Sequence, residues 1–299
     1  MSAIASDLPR VIDTGLRPRN RRLLSLARRK PLAAGAGLVL VVVCVVALFA
    51  PVLAPFDPNE VQLGSRLLSP SSEHWLGTDE FGRDVLSRIM HGARVSLAAG
   101  LGAAGLGTAA GVVFGLLGGY IGGFVDLAIQ RVMDALMALP PIILLMVLAT
   151  VLSPSLQNVV FAIAIFVMPS ASRVVRGAVL AEKEMVYVLA AQSIGASPKR
   201  VMVRHVLPNT MAPIIILASI AVGSAIIIEA ALGFLGLSVR PPAATWGTML
   251  NTGAQTYMEQ APWLAVAPGL AIGVTVFSIN LLGDGLRDIL DPRLRGSRG

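Results

Sequence analysis

LAAGAGLVLVVVCVVALFA, residues 32–50, holds nineteen residues without a charge, close to the roughly 20 that an α-helix needs to cross a hydrocarbon core about 30 Å thick. The stretch is bracketed by Lys30 before it and Pro51 after it. A cleaved leader would have a shorter apolar region and a small-residue cleavage site, so the segment reads as a first membrane span. The whole chain has the same character. Of its 299 residues 55% are apolar and only 14% charged, and mean hydropathy is +0.75. Ordinary soluble domains carry roughly 25% charge. A soluble, secreted, disordered or fibrous protein is excluded.

Further uncharged blocks lie near 95–123, 135–168, 208–228 and 263–283. The second is too long for one helix, and the turn-forming Ser153, Pro154, Ser155 and Asn158 divide it. The expectation is an all-α membrane protein of six transmembrane helices, at about 31–53, 95–119, 127–151, 158–177, 208–230 and 263–283.

Charge fixes the predicted orientation. The alternate segments 1–30, 120–134, 172–206 and 284–299 contain 19 of the 24 basic residues. Eight of these precede residue 31, whereas the loop 57–92 holds six acids: Asp57, Glu60, Glu73, Asp79, Glu80 and Asp84. By the positive-inside rule both termini are cytoplasmic. In a soluble chain the net charge of +7 would suggest nucleic acid; this distribution marks a multi-pass protein of the cell inner (plasma) membrane.

In the second span Gly107, Gly111, Gly115, Gly119 and Gly123 recur every fourth residue. Glycines at i and i+4 leave a groove into which another helix backbone fits, so the five predict a packing face, with the partner in this chain or another. Pro140, Pro141, Pro169, Pro213 and Pro268 interrupt other spans, either as static kinks or as gating points. Arg131 and Asp134, at i and i+3, are expected to pair structurally on one helix face. Glu229 is placed near the outer end of the fifth span.

No catalytic constellation is present. His74, His91 and His205 lie far apart, Cys44 is the single cysteine, and neither a metal-ligand spacing nor a nucleophile motif occurs. The three lysines Lys30, Lys183 and Lys199 follow Arg29, Glu182 and Pro198, so the Gly-Lys of a phosphate-binding loop is missing. If transport is driven by ATP, another subunit hydrolyses it.

The longest internal polar segment, EKEMVYVLAAQSIGASPKRVMVRHVLPN (182–209), reads as two short helices. The first stops at Gly195, a left-handed terminator. The second starts with Ser197 as N-cap and Pro198 at its first position and ends before Pro208, where the fifth span begins. Small Ala190 and Ala191 beside a glycine break suit insertion into a groove on a soluble partner.

This segment resembles the EAA loop of binding-protein-dependent ABC importer permeases: Ala190, Ala191, Gly195, Leu207 and Pro208 match, while Leu189 and His205 depart from the family's Glu and Ile. HWLGTDEFGRDVLSRIMHGARVSL (74–97), GGYIGGFVDLAIQRVMDALMALP (118–140), EAALGFLGLSVRPPAATWGTML (229–250) and NLLGDGLRDILDPRL (280–294) extend the likeness. All resemble the second, C-type permease of dipeptide, oligopeptide and nickel importers, over most of 31–295.

The resemblance implies an ABC importer type I permease fold with a cytoplasmic coupling loop at 182–206, whose contact residues would be Ala190, Ala191, Gly195, Ala196, Leu207 and Pro208. It also implies a heterodimer with a homologous permease, two ATPase subunits that bind ATP and Mg, and an extracytoplasmic solute-binding protein. The chain itself would carry no cofactor or metal. Short peptides are the expected cargo; nickel, glutathione or another small solute is the alternative within the class, and an ion-coupled carrier or channel the alternative outside it. The expected organisation is a basic segment 1–30, a first helix 31–56, an outer loop 57–92, a five-helix core 93–283 and a tail 284–299. The outer loop is expected to satisfy its own charges by packing, and the loop with Arg240, Pro241, Pro242, Trp246 and Trp263 to form an interfacial turn capped by tryptophans.

Overall fold

The computed structural model describes residues 30–290. The basic segment 1–29 and the tail beyond 290 lie outside the described residues, and so do the terminal arginines of both. Within 30–290 the chain is almost entirely helical. Helix α1 spans Pro31–Leu48, α2 Val85–Ile121, α3 Gly123–Ala138, α4 Pro141–Val151 and α5 Leu156–Glu182. Two short helices follow, α6 at Val186–Ser193 and α7 at Pro198–Val201, and then α8 at Met211–Phe234, α9 at Trp246–Gln255 and α10 at Trp263–Leu290.

Among the described residues five helices are long and apolar enough to cross a membrane: α1, α2, α5, α8 and α10. The expected third span, 127–151, is instead a broken pair, α3 and α4, bent by 94°. The break has a local cause. Leu139 and Pro140 each precede a proline, and the following ring pushes each out of the helical region, to ψ 136° and 133°. Pro141 then restarts the helix at its first position, where a missing N–H costs nothing.

The second span also starts earlier than expected. Asp84 caps α2, its carboxylate accepting from Ser87 N–H at 2.8 Å, so the outer loop ends at residue 84 rather than 92. At 37 residues α2 is about 55 Å long, more than a hydrocarbon core requires. Absence of charge put its start at 95; in the fold Arg88 is absorbed by reaching back to the Pro58 carbonyl at 2.9 Å.

The glycine stripe packs within this chain, on α5. A Cβ at Gly107 would sit 2.7 Å from the Ala164 carbonyl oxygen, at Gly111 2.8 Å from that of Met168, and at Gly115 2.5 Å from that of Ser172. At Gly119 it would meet the Val179 side chain at 2.9 Å. Gly111 faces Ala171, Gly115 faces Val175 and Gly119 faces Val179, so the two helices run parallel in direct backbone contact. Gly123 is not part of the stripe. It lies beyond the end of α2 with φ +55°, and no atom would touch its Cβ.

Around this pair, α8 and α4 complete one core through Ala103, Leu145, Ile163 and Ala225. A second core joins α1, α2, α8 and α10 through Ala47, Leu97, Ile226 and Val276. Lys30 closes the start of α1 onto Asp288 near the end of α10 at 2.5 Å.

Candidate functional site: the helical elbow and the opposite mouth

The segment between α5 and α8 leaves the bundle as an elbow. Helix α6 ends in a Schellman turn: Gly195 N–H donates to the Gln192 carbonyl at 2.9 Å and Ala196 N–H to that of Ala191 at 3.1 Å. This closure needs the left-handed φ of +82° that Gly195 supplies. Ser197 occupies the cap position of α7, but its hydroxyl makes no cap bond; Pro198 sits at the first position as expected.

The second helix does not stop before Pro208. It continues as a π turn, Met202–Val206, and a last turn, Leu207–Asn209. Pro208 has no N–H for the regular ladder, and the wider turn absorbs this: Leu207 N–H reaches the Met202 carbonyl, and the His205 carbonyl accepts from Asn209 Nδ2 at 2.7 Å.

The elbow is anchored on its inner side. Val188, Val201 and Val206 are buried against Val175 and Val179 of α5 and Ile214 of α8, with Tyr120 from the end of α2 alongside. The six residues singled out from sequence divide between two faces. Ala191 is buried, and Ala196 and Leu207 are half-buried in this core; Ala190, Gly195 and Pro208 are exposed. The pair Ala190 and Ala191 therefore does not present one docking face. The outer face instead carries Val186, 82% exposed, and Ile194, 87% exposed, with Leu189 and Ala190 between them.

Sequence reasoning missed Tyr187. Its hydroxyl donates to Glu182 and receives Asn209 Nδ2 at 2.9 Å, tying the start of α6 to the end of the second helix. Partial loss of water and then the Glu182 carboxylate raise its phenol above the ordinary range. Gln192 Nε2 donates to Tyr120 Oη at 3.4 Å. The signal was an aromatic hydroxyl at the first turn of a short helix; no spacing rule linked it to Asn209.

Near the same end, Asp134 does not pair with Arg131. It accepts from Arg173 at 2.6 Å, and Asp126 receives a bidentate contact from Arg176 at 2.6 and 2.5 Å. Both pairs cross from α3 to α5. The i, i+3 reading considered one helix alone, whereas the arginines of the neighbouring helix are the partners.

At the opposite end the loop 57–84 satisfies its charges internally. Asp79 accepts from Arg83 Nε at 2.7 Å and from the N–H groups of Phe81 and Arg83 at 2.9 Å each, with Arg88 at 3.3 Å. His74 and Asp84 meet at 3.0 Å, both buried. Glu80 lies on the rim; burial first, and then the Asp79 charge, push its carboxyl above the ordinary range against the pull of its backbone hydrogen bond, Arg83 and Arg88. A cavity of about 200 Å³ opens here between Glu80, Arg88, Pro241, Met249 and Thr252.

Of the two tryptophans, Trp246 is not an interfacial cap, and Trp263 is half-buried. Trp246 is buried at the start of α9 with its indole donating to the Ile89 carbonyl at 3.1 Å, and Trp263 donates to that of Thr78 at 3.3 Å. Glu229 is buried and accepts from Ser96 and Ser238, each at 3.0 Å. This end is thus a packed mouth, stitched from both loops.

A bundle of apolar helices around a glycine-to-backbone pair, with an anchored elbow at one end and a charge-neutralised mouth at the other, defines a multi-span membrane protein. Residues 111–296 match the model of the family described as binding-protein-dependent transport system inner membrane component, and residues 25–70 match the N-terminal TM domain of oligopeptide transport permease C. The chain belongs to this family and is an ABC importer permease of the peptide and oligopeptide type. It is 44% identical over 270 residues to the glutathione transport system permease protein GsiD of Escherichia coli, covering 90% of this chain and 89% of the relative. It is 45% identical over 267 residues to the di/tripeptide transport system permease protein DppC of Pseudomonas aeruginosa, covering 87% of each. Among solved structures, an inward-facing form of the MetNI methionine ABC transporter matches 67% of this chain and 94% of that one, with TM-score 0.55 and 20% identity. That likeness carries the type I importer fold.

Proposed function

We propose that the chain pairs with a homologous, different permease to form the translocation path for short peptides delivered by an extracytoplasmic solute-binding protein. Two ATPase subunits, which bind ATP and Mg, drive the pair from the cytoplasm. This chain binds no cofactor of its own. Both termini and the elbow are cytoplasmic, and the loop 57–84 and helix α9 face outward; the distribution of basic residues supports this orientation.

The observation that carries the reading is the outer face of the elbow. Val186 and Ile194 are more than four-fifths exposed on a segment whose inner side is fully packed. An apolar face with a rigid backing is built to be covered by a partner, and in this family the partner at that position is an ATPase. The 44% identical glutathione permease and the 45% identical di/tripeptide permease support the two cargo readings equally; glutathione is itself a tripeptide, so both readings share one chemistry.

The test is crosslinking in the assembled complex. Cys44, which is exposed, is first replaced by serine, and a cysteine is placed at Ile194. It should crosslink to an ATPase subunit with a yield that changes when ATP is added. Gly195→Arg should abolish uptake while the two permeases still copurify. Uptake at the wild-type rate in that variant, or failure to crosslink any ATPase along 186–196, would refute the assignment.

A further inference from the structure

Helix α3 is held to the rest of the chain in an unusual way. Of its sixteen residues only Met133 is buried, so side-chain packing fixes it weakly. Its charged residues add two links to α5: Arg176 grips the half-buried Asp126 through two bonds of 2.6 and 2.5 Å, and Arg173 holds Asp134 at 2.6 Å in a more exposed pair. Planar two-point contact between guanidinium and carboxylate sets orientation as well as distance.

Both arginines sit on α5, and the same stretch of α5 carries Val175 and Val179, which are fully buried in the core of the elbow. One face of a single helical turn therefore belongs to the elbow and the adjacent face to α3. At its far end α3 joins α4 through extended backbone at Leu139 and Pro140, across the 94° bend. A helix followed by extended backbone can pivot without unwinding its neighbour.

We propose that Asp126–Arg176 and Asp134–Arg173 are positioning pairs that make the broken span follow the elbow, so that a displacement imposed on α6 and α7 is delivered to α3. The inference rests on the elbow being the point where ATPases act. The displacement reaches α5 through its valines, because packed apolar cores move as units. It passes to α3 through the two ion pairs, which replace the apolar contact that α3 lacks. The turn at Gly122 and Gly123, with φ +72° and +55°, separates α3 from α2 at its other end.

The experiment uses the complete complex in proteoliposomes, with di-alanine and glutathione as probe solutes, and measures ATP hydrolysed per solute taken up. Asp126→Asn combined with Arg176→Gln removes both charges and keeps both side chains polar. It should leave subunit yields unchanged and raise ATP per solute about tenfold, the scale of a lost charge-pair coupling. The exchanged pair, Asp126→Arg with Arg176→Asp, should return most of the coupling. Arg173→Gln should raise the ratio less, because a single bond is lost.

An unchanged ratio in the neutral variant would overturn the proposal. So would loss of assembly in both the neutral and exchanged variants, because a coupling link, unlike a strut, is dispensable for assembly. If the wild-type chain neither copurifies with an ATPase nor consumes ATP during uptake, the importer reading fails first, independently of the pairs.

Discussion

Helix α5 meets two neighbours in opposite ways. Toward α2 it presents Ala164, Ala171, Ser172 and Val175 to glycines, with backbone against backbone and no room for a methyl group. Toward α3 it presents two arginines at the ends of long, rotatable stems, reaching carboxylates on a helix that is otherwise exposed. The first contact is short-range and steric, and any change of position costs overlap. The second is electrostatic and is made at the ends of side chains, with no overlap of backbones. One helix thus serves as a close-packed wall on one side and as a charged link on the other.

The largest effect is expected at the wall. Gly111→Leu with Gly115→Leu would drive side chains into the Met168 and Ser172 carbonyls, and overpacking costs typically about 1–3 kcal/mol per site even where neighbours can yield. The chain should fail to accumulate in the membrane, as read by immunoblot of membrane fractions. Accumulation at the wild-type level would show that α2 and α5 separate freely. Gly123→Ala sharpens the contrast: its φ of +55° in open space costs about 1–2 kcal/mol in backbone strain alone, so the protein should accumulate but melt at lower temperature.

A more local loss is expected at the mouth. Asp79→Ala would leave Arg83 and Arg88 buried without their shared carboxylate, a penalty of about 3–5 kcal/mol in a fully buried pair. The mouth is local and its rim is open, so the loss should fall on loop 57–84, detected as faster proteolysis there while the bundle stays folded. Smaller again is Thr245→Ala, which removes the capping box of α9 at about 1 kcal/mol. The smallest is Ser197→Ala, expected to leave thermal stability and uptake unchanged, because Ser197 makes no cap bond. A measurable loss there would mean that the cap forms in the assembled complex.

Much of this architecture was legible because its signals are local in sequence. Uncharged runs of membrane length located the spans, and the Ala-Gly pattern with Ser197-Pro198 located the elbow, since a left-handed glycine and an N1 proline act within four residues of themselves. The four-residue glycine period announced a groove before any partner was known.

Other features are decided by what lies across space. Periodicity could not say that the glycine groove is filled by α5 of the same chain, nor that Gly123 falls past the helix end. It paired Asp134 with Arg131, its neighbour along one helix, when the arginine that reaches it stands on another. It took Ala190 and Ala191 as one docking face, but the step of roughly 100° between adjacent helical residues buries the second of them, on the side of Val188, and leaves the first exposed. Trp246 looked like a membrane-interface residue until the fold placed the Ile89 carbonyl beside its indole N–H. Sequence alone determined which segments are apolar and long enough to cross a membrane, the broken third excepted, and which prolines and glycines interrupt the helices, because helix length, proline and glycine act through bonds close along the chain. Which faces meet, which charges pair and which side chains stay exposed was decided only by tertiary structure, because those contacts join residues far apart in sequence and depend on the rotation of each helix about its axis.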